Sequence, residues 1–138
     1  YRIMIVKVTL EMNNCSEFVL ENKQDCKDLH PKALLLYAAA KCAALTAMSI
    51  MQKEHLTPQR FEISVSGELS TDTVQAESIF HSFNVVYNIE CAQYNEQVKV
   101  SRAVNLAHDK YCGLVRMLRL IAPVAHEIAI VSTQPSNA

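Results

Sequence analysis

The sequence predicts an α+β domain in which an antiparallel sheet covers a central helix. The run of Ala and Leu after Pro31 is apolar nearly all round, which is typical of a buried helix. Segments in which apolar and polar residues alternate stand before and after that run, and this alternation is typical of strands with one buried face. The predicted order is strand, strand, helix, strand, strand, helix, helix, strand. We expect one domain over residues 1–138, since that length suits a single core.

The first two predicted strands form a hairpin. Residues 2–12 are rich in Ile, Val and Met, with polar residues at alternate positions in the second half, which indicates a strand with one wetter face. Asn13 and Asn14 favour a turn, and residues 16–20 can return as the second strand. The polar residues 21–28 are then expected to form a loop.

Pro31 opens the predicted central helix, which extends to about Lys53. Proline is favoured in the first turn because its missing amide would have no helical partner there, and Asp28 or His30 can cap the helix. Four side chains at spacings of three and four share a stripe that we expect to pack inside the protein: Ala38, Cys42, Leu45 and Ser49.

A second pair of strands follows the helix. Residues 61–69 alternate between apolar and polar side chains, residues 70–73 favour a turn, and the alternation resumes over residues 79–91 with His81 on the apolar face. We expect these strands to form a long antiparallel pair. Three further elements complete the predicted fold: helices over residues 96–107 and 111–121, and a strand over Val124–Ser132.

Composition narrows the classes of function. The formal net charge is -1 and the sequence contains no basic run, so we expect no binding to nucleic acid or to an anionic membrane. Lys32 and Lys41 interrupt the most apolar stretch, so we expect no membrane-spanning helix. The sequence also shows no charged segment followed by an apolar signal region, and a cytoplasmic location is the expectation.

Five cysteines are present, and their spacing contains no CxxC pair. An odd number of scattered cysteines predicts neither a disulfide scaffold nor a structural metal site. We expect Cys15, Cys26 and Cys91 to be small core residues, since a free cysteine is usually buried. Cys42 and Cys112 lie on apolar helical segments and are the candidates for thiol chemistry.

The context of these two cysteines resembles the OsmC/Ohr family, and in particular its YhfA-type branch. Pro31 stands eleven residues before Cys42, and the second cysteine follows about seventy residues later, after the predicted strand pair. Four segments provide the likeness: residues 39–42 (AAKC), 48–50 (MSI), 101–104 (SRAV) and 110–112 (KYC). The resemblance extends from about residue 30 to residue 131.

The resemblance implies an OsmC-like fold, an intertwined homodimer and a two-cysteine hydroperoxide reductase that acts in defence against oxidative stress. Cys42 would then be the peroxidatic cysteine and Cys112 the resolving cysteine. The substrate would be a hydrophobic small-molecule peroxide, an external dithiol would supply the electrons, and no cofactor would be needed. Four apolar side chains are expected to line a pocket for it: Leu34, Leu35, Ala38 and Leu45.

The cysteine must be a thiolate to attack a peroxide. Cys112 lies near a predicted helix start, where the amides and the helix dipole favour an anion, whereas Cys42 would need a nearby cation. Members similar to the Ohr branch pair a Glu after the helix-opening Pro with an Arg from an early loop, but this chain has Lys32 at the Glu position and no Arg in residues 13–17. Lys41 and Arg116 are the other cations considered.

Alternative interpretations therefore stay open. The same fold and pocket suit a non-catalytic protein that binds a small molecule or senses oxidants, and also a purely structural dimerisation domain. Fast reaction of the cysteines with thiol reagents would favour the peroxidase or the sensor, whereas inert cysteines would favour the binding or structural protein.

The histidines are predicted to have structural roles. We expect His30 to cap or precede the helix, His81 to be a hydrogen-bonded core residue, and His55, His108 and His126 to lie in a loop, a helix break and a strand. No two of them have the sequence spacing of metal ligands, so no metal is expected.

Overall fold

A computed structural model describes residues 3–70 and 78–133 of the chain. Residues 71–73 of the predicted turn at 70–73 lie outside the described residues. The elements are β1 (Ile3–Met12), β2 (Phe18–Leu20), α1 (Pro31–Lys53), β3 (Arg60–Ser70), β4 (Phe80–Cys91), α2 (Gln97–Leu106), α3 (Gly113–Ile121) and β5 (Val124–Ser132). Short 3-10 turns lie at Glu21–Lys23, Cys26–Asp28 and Tyr94–Glu96, and a π-helical turn at Ala107–Tyr111 joins α2 to α3.

The strands of the described chain form a five-stranded sheet in the order β2-β1-β3-β4-β5. The predicted α+β class, the N-terminal hairpin and the long antiparallel pair of β3 and β4 are confirmed. The prediction of purely antiparallel sheets is wrong, because β5 pairs with β4 in the parallel sense. The physical reason is the crossover through α2 and α3, which returns the chain to the end of the sheet at which β4 began.

The hairpin turn is stabilised by Asn13. Its side-chain oxygen accepts hydrogen bonds from the backbone amides of Cys15 and Glu17, each at 2.9 Å. Such an Asx turn satisfies backbone donors that no strand partner reaches.

α1 packs against the sheet through a stripe of small side chains. Five alanines of this stripe are fully buried, and their size lets the helix backbone approach β1 and β3 closely: Ala39, Ala40, Ala43, Ala44 and Ala47. The predicted central helix is thus confirmed, but the predicted packed stripe is wrong, because Leu45 and Ser49 are exposed and Cys42 is half-buried. The apolar residues on this outer side leave α1 with an uncovered face.

α1 also has the length and composition of a membrane-spanning helix, contrary to the expectation from its lysines. An 18-residue window within its 23 residues reaches a mean hydropathy of 1.7. The buried alanines explain this value, since the core helix of a globular domain meets the same criteria. The helix therefore does not indicate a membrane protein.

A bulge at the start of β4 reverses the predicted orientation of His81. Glu68 pairs with Ser82 while Leu69 pairs with Phe80, so His81 is an extra residue without a partner in the β3 ladder. Its side chain is exposed, and that of Phe80 is buried instead. The prediction of a core histidine is wrong because alternation within one strand does not reveal an inserted residue.

Candidate functional site

Cys42 and Cys112 meet where α1 packs against the start of α3. Cys42 lies in the middle of α1 and is half-buried, whereas Cys112 is 0% exposed. After burial, the neighbouring Cys42 thiol also raises the pKa of Cys112, so the two thiols lie close to each other. The structure thus brings together two residues that are seventy positions apart.

Burial dominates the electrostatics of Cys112. It raises the pKa of this thiol to about 12, and the Cys42 thiol adds to the rise, while the backbone amides of Val115 and Leu114 act in the opposite direction. The sequence predicted that these first-turn amides would favour the thiolate. They do lower the pKa, but the loss of solvation outweighs them. The Cys112 thiol is therefore protonated at neutral pH.

Local sequence explains how the two sulfurs are positioned. His30 caps α1 as predicted, since its Nδ1 accepts a hydrogen bond from the Lys32 amide at 3.3 Å, and Pro31 fixes the first turn. Cys112 is the N-cap residue of α3, and its amide donates to the Ala107 carbonyl at 2.8 Å across the π-helical turn.

A buried polar network, which the sequence did not predict, lies beside the thiol pair. The Tyr87 hydroxyl and the His108 Nδ1 share a hydrogen bond of 2.8 Å, and the His108 ring stacks on that of His126 with centroids 4.0 Å apart. The His126 Nε2 and the Asn105 Oδ1 are 3.1 Å apart. These residues come from β4, the π-helical turn, β5 and α2, so their convergence depends on the tertiary fold and leaves no local signal in the sequence.

Burial has the largest effect on the pKa values of Tyr87 and His108 in this network. The pKa of Tyr87 is raised, first by burial and then by the neighbouring Cys112, while Arg119 acts against the rise. The pKa of His108 is lowered to about 4, first by burial and then by His126 and Arg119. Both side chains are therefore neutral at neutral pH, and Cys42 also contributes to the field at the Tyr87 hydroxyl.

The cation beside the network is Arg119, which the sequence analysis did not select. Its guanidinium donates to the His108 carbonyl at 2.8 Å and forms an ion pair with Asp109 at 3.7 Å. The cations that the sequence suggested lie elsewhere. Lys41 is exposed, with its Nζ 5.8 Å from the Tyr37 ring centroid, and Arg116 is exposed.

The remaining cysteines divide into two groups. Cys15 and Cys26 are exposed, so the prediction that they are core residues is wrong. Cys91 is buried as predicted; its thiol donates to the Gln93 carbonyl at 3.5 Å, and burial raises its pKa.

A cleft beside α1 does not match the predicted apolar pocket. It has a volume of about 460 Å³ and lies between α1 and the segment after β1, where Cys26, Tyr37 and Lys41 contribute to its walls. Of the four residues predicted to form the pocket, Leu45 alone lines this cleft, because Leu34 points outward from α1.

Comparison with known proteins identifies the family. A model of OsmC-like proteins matches residues 24–127, which is most of the chain. The chain belongs to the OsmC family. Protein YhfA of Escherichia coli strain K12 is 25% identical over 116 residues, which cover 84% of each chain.

Solved structures of OsmC-family proteins have the same fold. The crystal structure of an OsmC-like protein from Mycoplasma pneumoniae has a TM-score of 0.61 and 16% identity, covering 95% of this chain and 96% of that one. The organic hydroperoxide resistance protein OhrB of Bacillus subtilis has a TM-score of 0.54 and 14% identity, covering 93% and 98%. The predicted OsmC-like fold is therefore confirmed.

Proposed function

We propose that this OsmC-family protein is a two-cysteine thiol redox protein that reduces organic hydroperoxides in oxidative stress defence. The observation that supports this most directly is the interaction of the Cys112 thiol with the neighbouring Cys42 thiol. Two thiols in contact, one half-buried and one buried, suit sequential chemistry in which the first reacts with oxidant and the second reacts with the first. The family and its hydroperoxide resistance members add support.

In the proposed cycle, the Cys42 thiolate attacks the terminal oxygen of the hydroperoxide. The O–O bond breaks, Cys42 becomes a sulfenic acid, and the alkoxide takes up a proton to leave as the alcohol. The Cys112 thiol then attacks the sulfenic sulfur, a disulfide forms, and its proton leaves with the hydroxyl group as water. An external dithiol reduces the disulfide and returns both thiols.

Exposure supports the assignment of roles. Cys42 is half-buried and can meet a peroxide, whereas Cys112 is buried behind it. The raised pKa keeps the Cys112 thiol protonated, so it does not compete for peroxide, and it gives up its proton only as it attacks the neighbouring sulfenic sulfur. Cys112 is thus suited to resolving and Cys42 to the peroxidatic role.

We also propose that the protein forms the homodimer expected of its family. Apolar side chains on the outer sides of α1 and α3 are exposed in the single chain, and Leu120 reaches 88% exposure. Exposed apolar patches often mark protein–protein interfaces. A second copy would cover these residues: Leu34, Leu45, Met117, Leu120 and Ile121. Light scattering after size exclusion should give twice the mass of 15.5 kDa.

Oxidant sensing is the second candidate function. The Glu and Arg that polarise the peroxide in Ohr-like members are absent from the corresponding positions of this sequence, and Lys32 stands in place of the Glu. A sensor needs disulfide formation without rapid turnover, so the same thiol pair suits it. The cytoplasm, where free cysteines persist in the reduced state, is the proposed location for either function.

The deciding experiment is intact-protein mass spectrometry after one equivalent of cumene hydroperoxide, followed by peptide mapping. We expect a loss of about two mass units that maps to Cys42 and Cys112. Cys42→Ser should show no such change, whereas Cys112→Ser should retain a sulfenic acid at Cys42. The matched control is Cys26→Ser, at an exposed cysteine, which should behave as the wild type. Disulfide formation that consumes a single equivalent of peroxide, without continued turnover in the presence of dithiol, would favour the sensor. A protein whose thiols stay unchanged would contradict both functions.

A further inference from the structure

A second cluster of potential ligands lies next to the thiol pair but does not include it. One donor atom each from His108, Asp109 and His126 lie within 4.8 Å of one another. We propose that these residues bind a divalent transition-metal cation of the Zn²⁺ class. Two imidazoles with one carboxylate are the donor set that such cations prefer, and three protein ligands leave a fourth position for water.

The hydrogen bonds of the two histidines leave one nitrogen of each ring free. The Asn105 amide nitrogen donates to the Ser101 carbonyl at 3.0 Å, which orients the Asn105 Oδ1 toward His126. An amide oxygen only accepts, so the Nε2 of His126 carries the hydrogen and its Nδ1 keeps a free lone pair. On His108, Nδ1 is bonded to the Tyr87 hydroxyl, and Nε2 is the remaining nitrogen. Outer partners of this kind orient metal-binding histidines.

The Nε2 of His108 is the observation that points to a missing partner. The side chain is 1% exposed, yet this nitrogen has no hydrogen-bond partner among the described residues. A buried polar nitrogen without a partner is destabilising, and proteins rarely leave one in place. A cation bound at this nitrogen would remove the cost, provided that the Nδ1 hydrogen points to the Tyr87 oxygen.

Binding requires the cluster to contract and one imidazole to rotate out of the stack, because the lone pair of an imidazole nitrogen lies in the ring plane. Tetrahedral ligands about 2.1 Å from Zn²⁺ lie about 3.4 Å apart, so the widest pair would close by about 1.4 Å from the present limit of 4.8 Å. The half-buried His126 and the exposed Asp109 have room to move. Metal bonds would replace two present interactions. These are the stacking of the two histidine rings and the ion pair of Asp109 with Arg119.

The test is calorimetric titration of the reduced full chain with Zn²⁺, with His126→Gln as the test variant. His81→Gln is the matched control, since that exposed histidine lies on the β4 bulge outside the cluster. We expect one Zn²⁺ per chain for the wild type and the control, and at least a tenfold weaker affinity for His126→Gln. Asp109→Asn provides a second test if His126→Gln does not fold, as judged by circular dichroism.

Cobalt distinguishes this site from the cysteines. Co²⁺ bound by thiolate gives a strong charge-transfer band, whereas Co²⁺ bound by imidazole and carboxylate gives weak ligand-field bands alone. We expect the weak ligand-field bands, and we expect them to be unchanged in Cys42→Ser. Equal affinities of the wild type and both ligand variants, absence of Zn²⁺ binding, or a charge-transfer band that disappears in Cys42→Ser would overturn the proposal. None of these results depends on peroxidase activity.

Discussion

Replacing Tyr87 by Phe removes one oxygen atom from the buried network and keeps the aromatic ring. The Tyr87 hydroxyl is the partner of the His108 Nδ1 at 2.8 Å, and the His108 Nε2 already lacks a partner among the described residues. Tyr87→Phe would therefore leave both nitrogens of a buried imidazole unpaired. We expect the free energy of unfolding to fall by about 1–3 kcal/mol, the desolvation cost of one buried polar group. For a chain of this length, the midpoint of thermal unfolding should fall by roughly 3–10 °C.

The assay is equilibrium unfolding in urea, followed by circular dichroism under reducing conditions. The matched control is Tyr111→Phe, since that side chain is 60% exposed and loses a hydroxyl that water can replace. A loss below about 0.5 kcal/mol for Tyr87→Phe, equal to the control, would refute the reasoning, because it would mean that water or another group satisfies His108.

Three further predictions concern packing and pH. Gly67→Ala would place a Cβ 2.5 Å from the Phe80 ring, so we expect a loss of about 1–3 kcal/mol in urea unfolding. Gly113→Ala meets no atom within 4 Å at the first position of α3 and should raise stability by about 0.4–1 kcal/mol in the same assay; a loss would contradict the open space seen there. The folded pKa of Cys112 is raised from 9.0 to about 12, so the folded chain holds the proton more tightly. Its contribution to stability is complete below about pH 9 and is lost as the pH rises toward 12, and Cys112→Ala should flatten this decline in unfolding measured at stepped pH.

The sequence predicted the positions of the helices and strands better than the pairing of the strands and the orientation of their side chains. α1 was placed correctly because Pro31 and His30 are local signals for a helix start, and β3 because its alternation is strict. The orientation of His81 was wrong because a bulge depends on the partner strand. The parallel pairing of β5 was missed because it depends on the path of the crossover helices.

The candidate site was predicted only in part, because some of its contacts depend on the tertiary fold and not on local sequence. The resemblance to the family led to Cys42 and Cys112, which the fold brings into contact. No local pattern indicated that Tyr87, His108 and His126 would converge, since three separate elements contribute them. The raised pKa of Cys112 was also missed: the helix start was visible in the sequence, but its burial was not.

The difference in exposure of the two thiols implies an order of events in the proposed cycle. A hydrophobic peroxide meets Cys42 first, because Cys112 is fully buried. Disulfide formation then requires the two sulfurs to approach to about 2.05 Å, the length of an S–S bond. Burial of Cys112 thus slows its own reaction with oxidant, while its position at a helix start keeps it within reach of the oxidised Cys42.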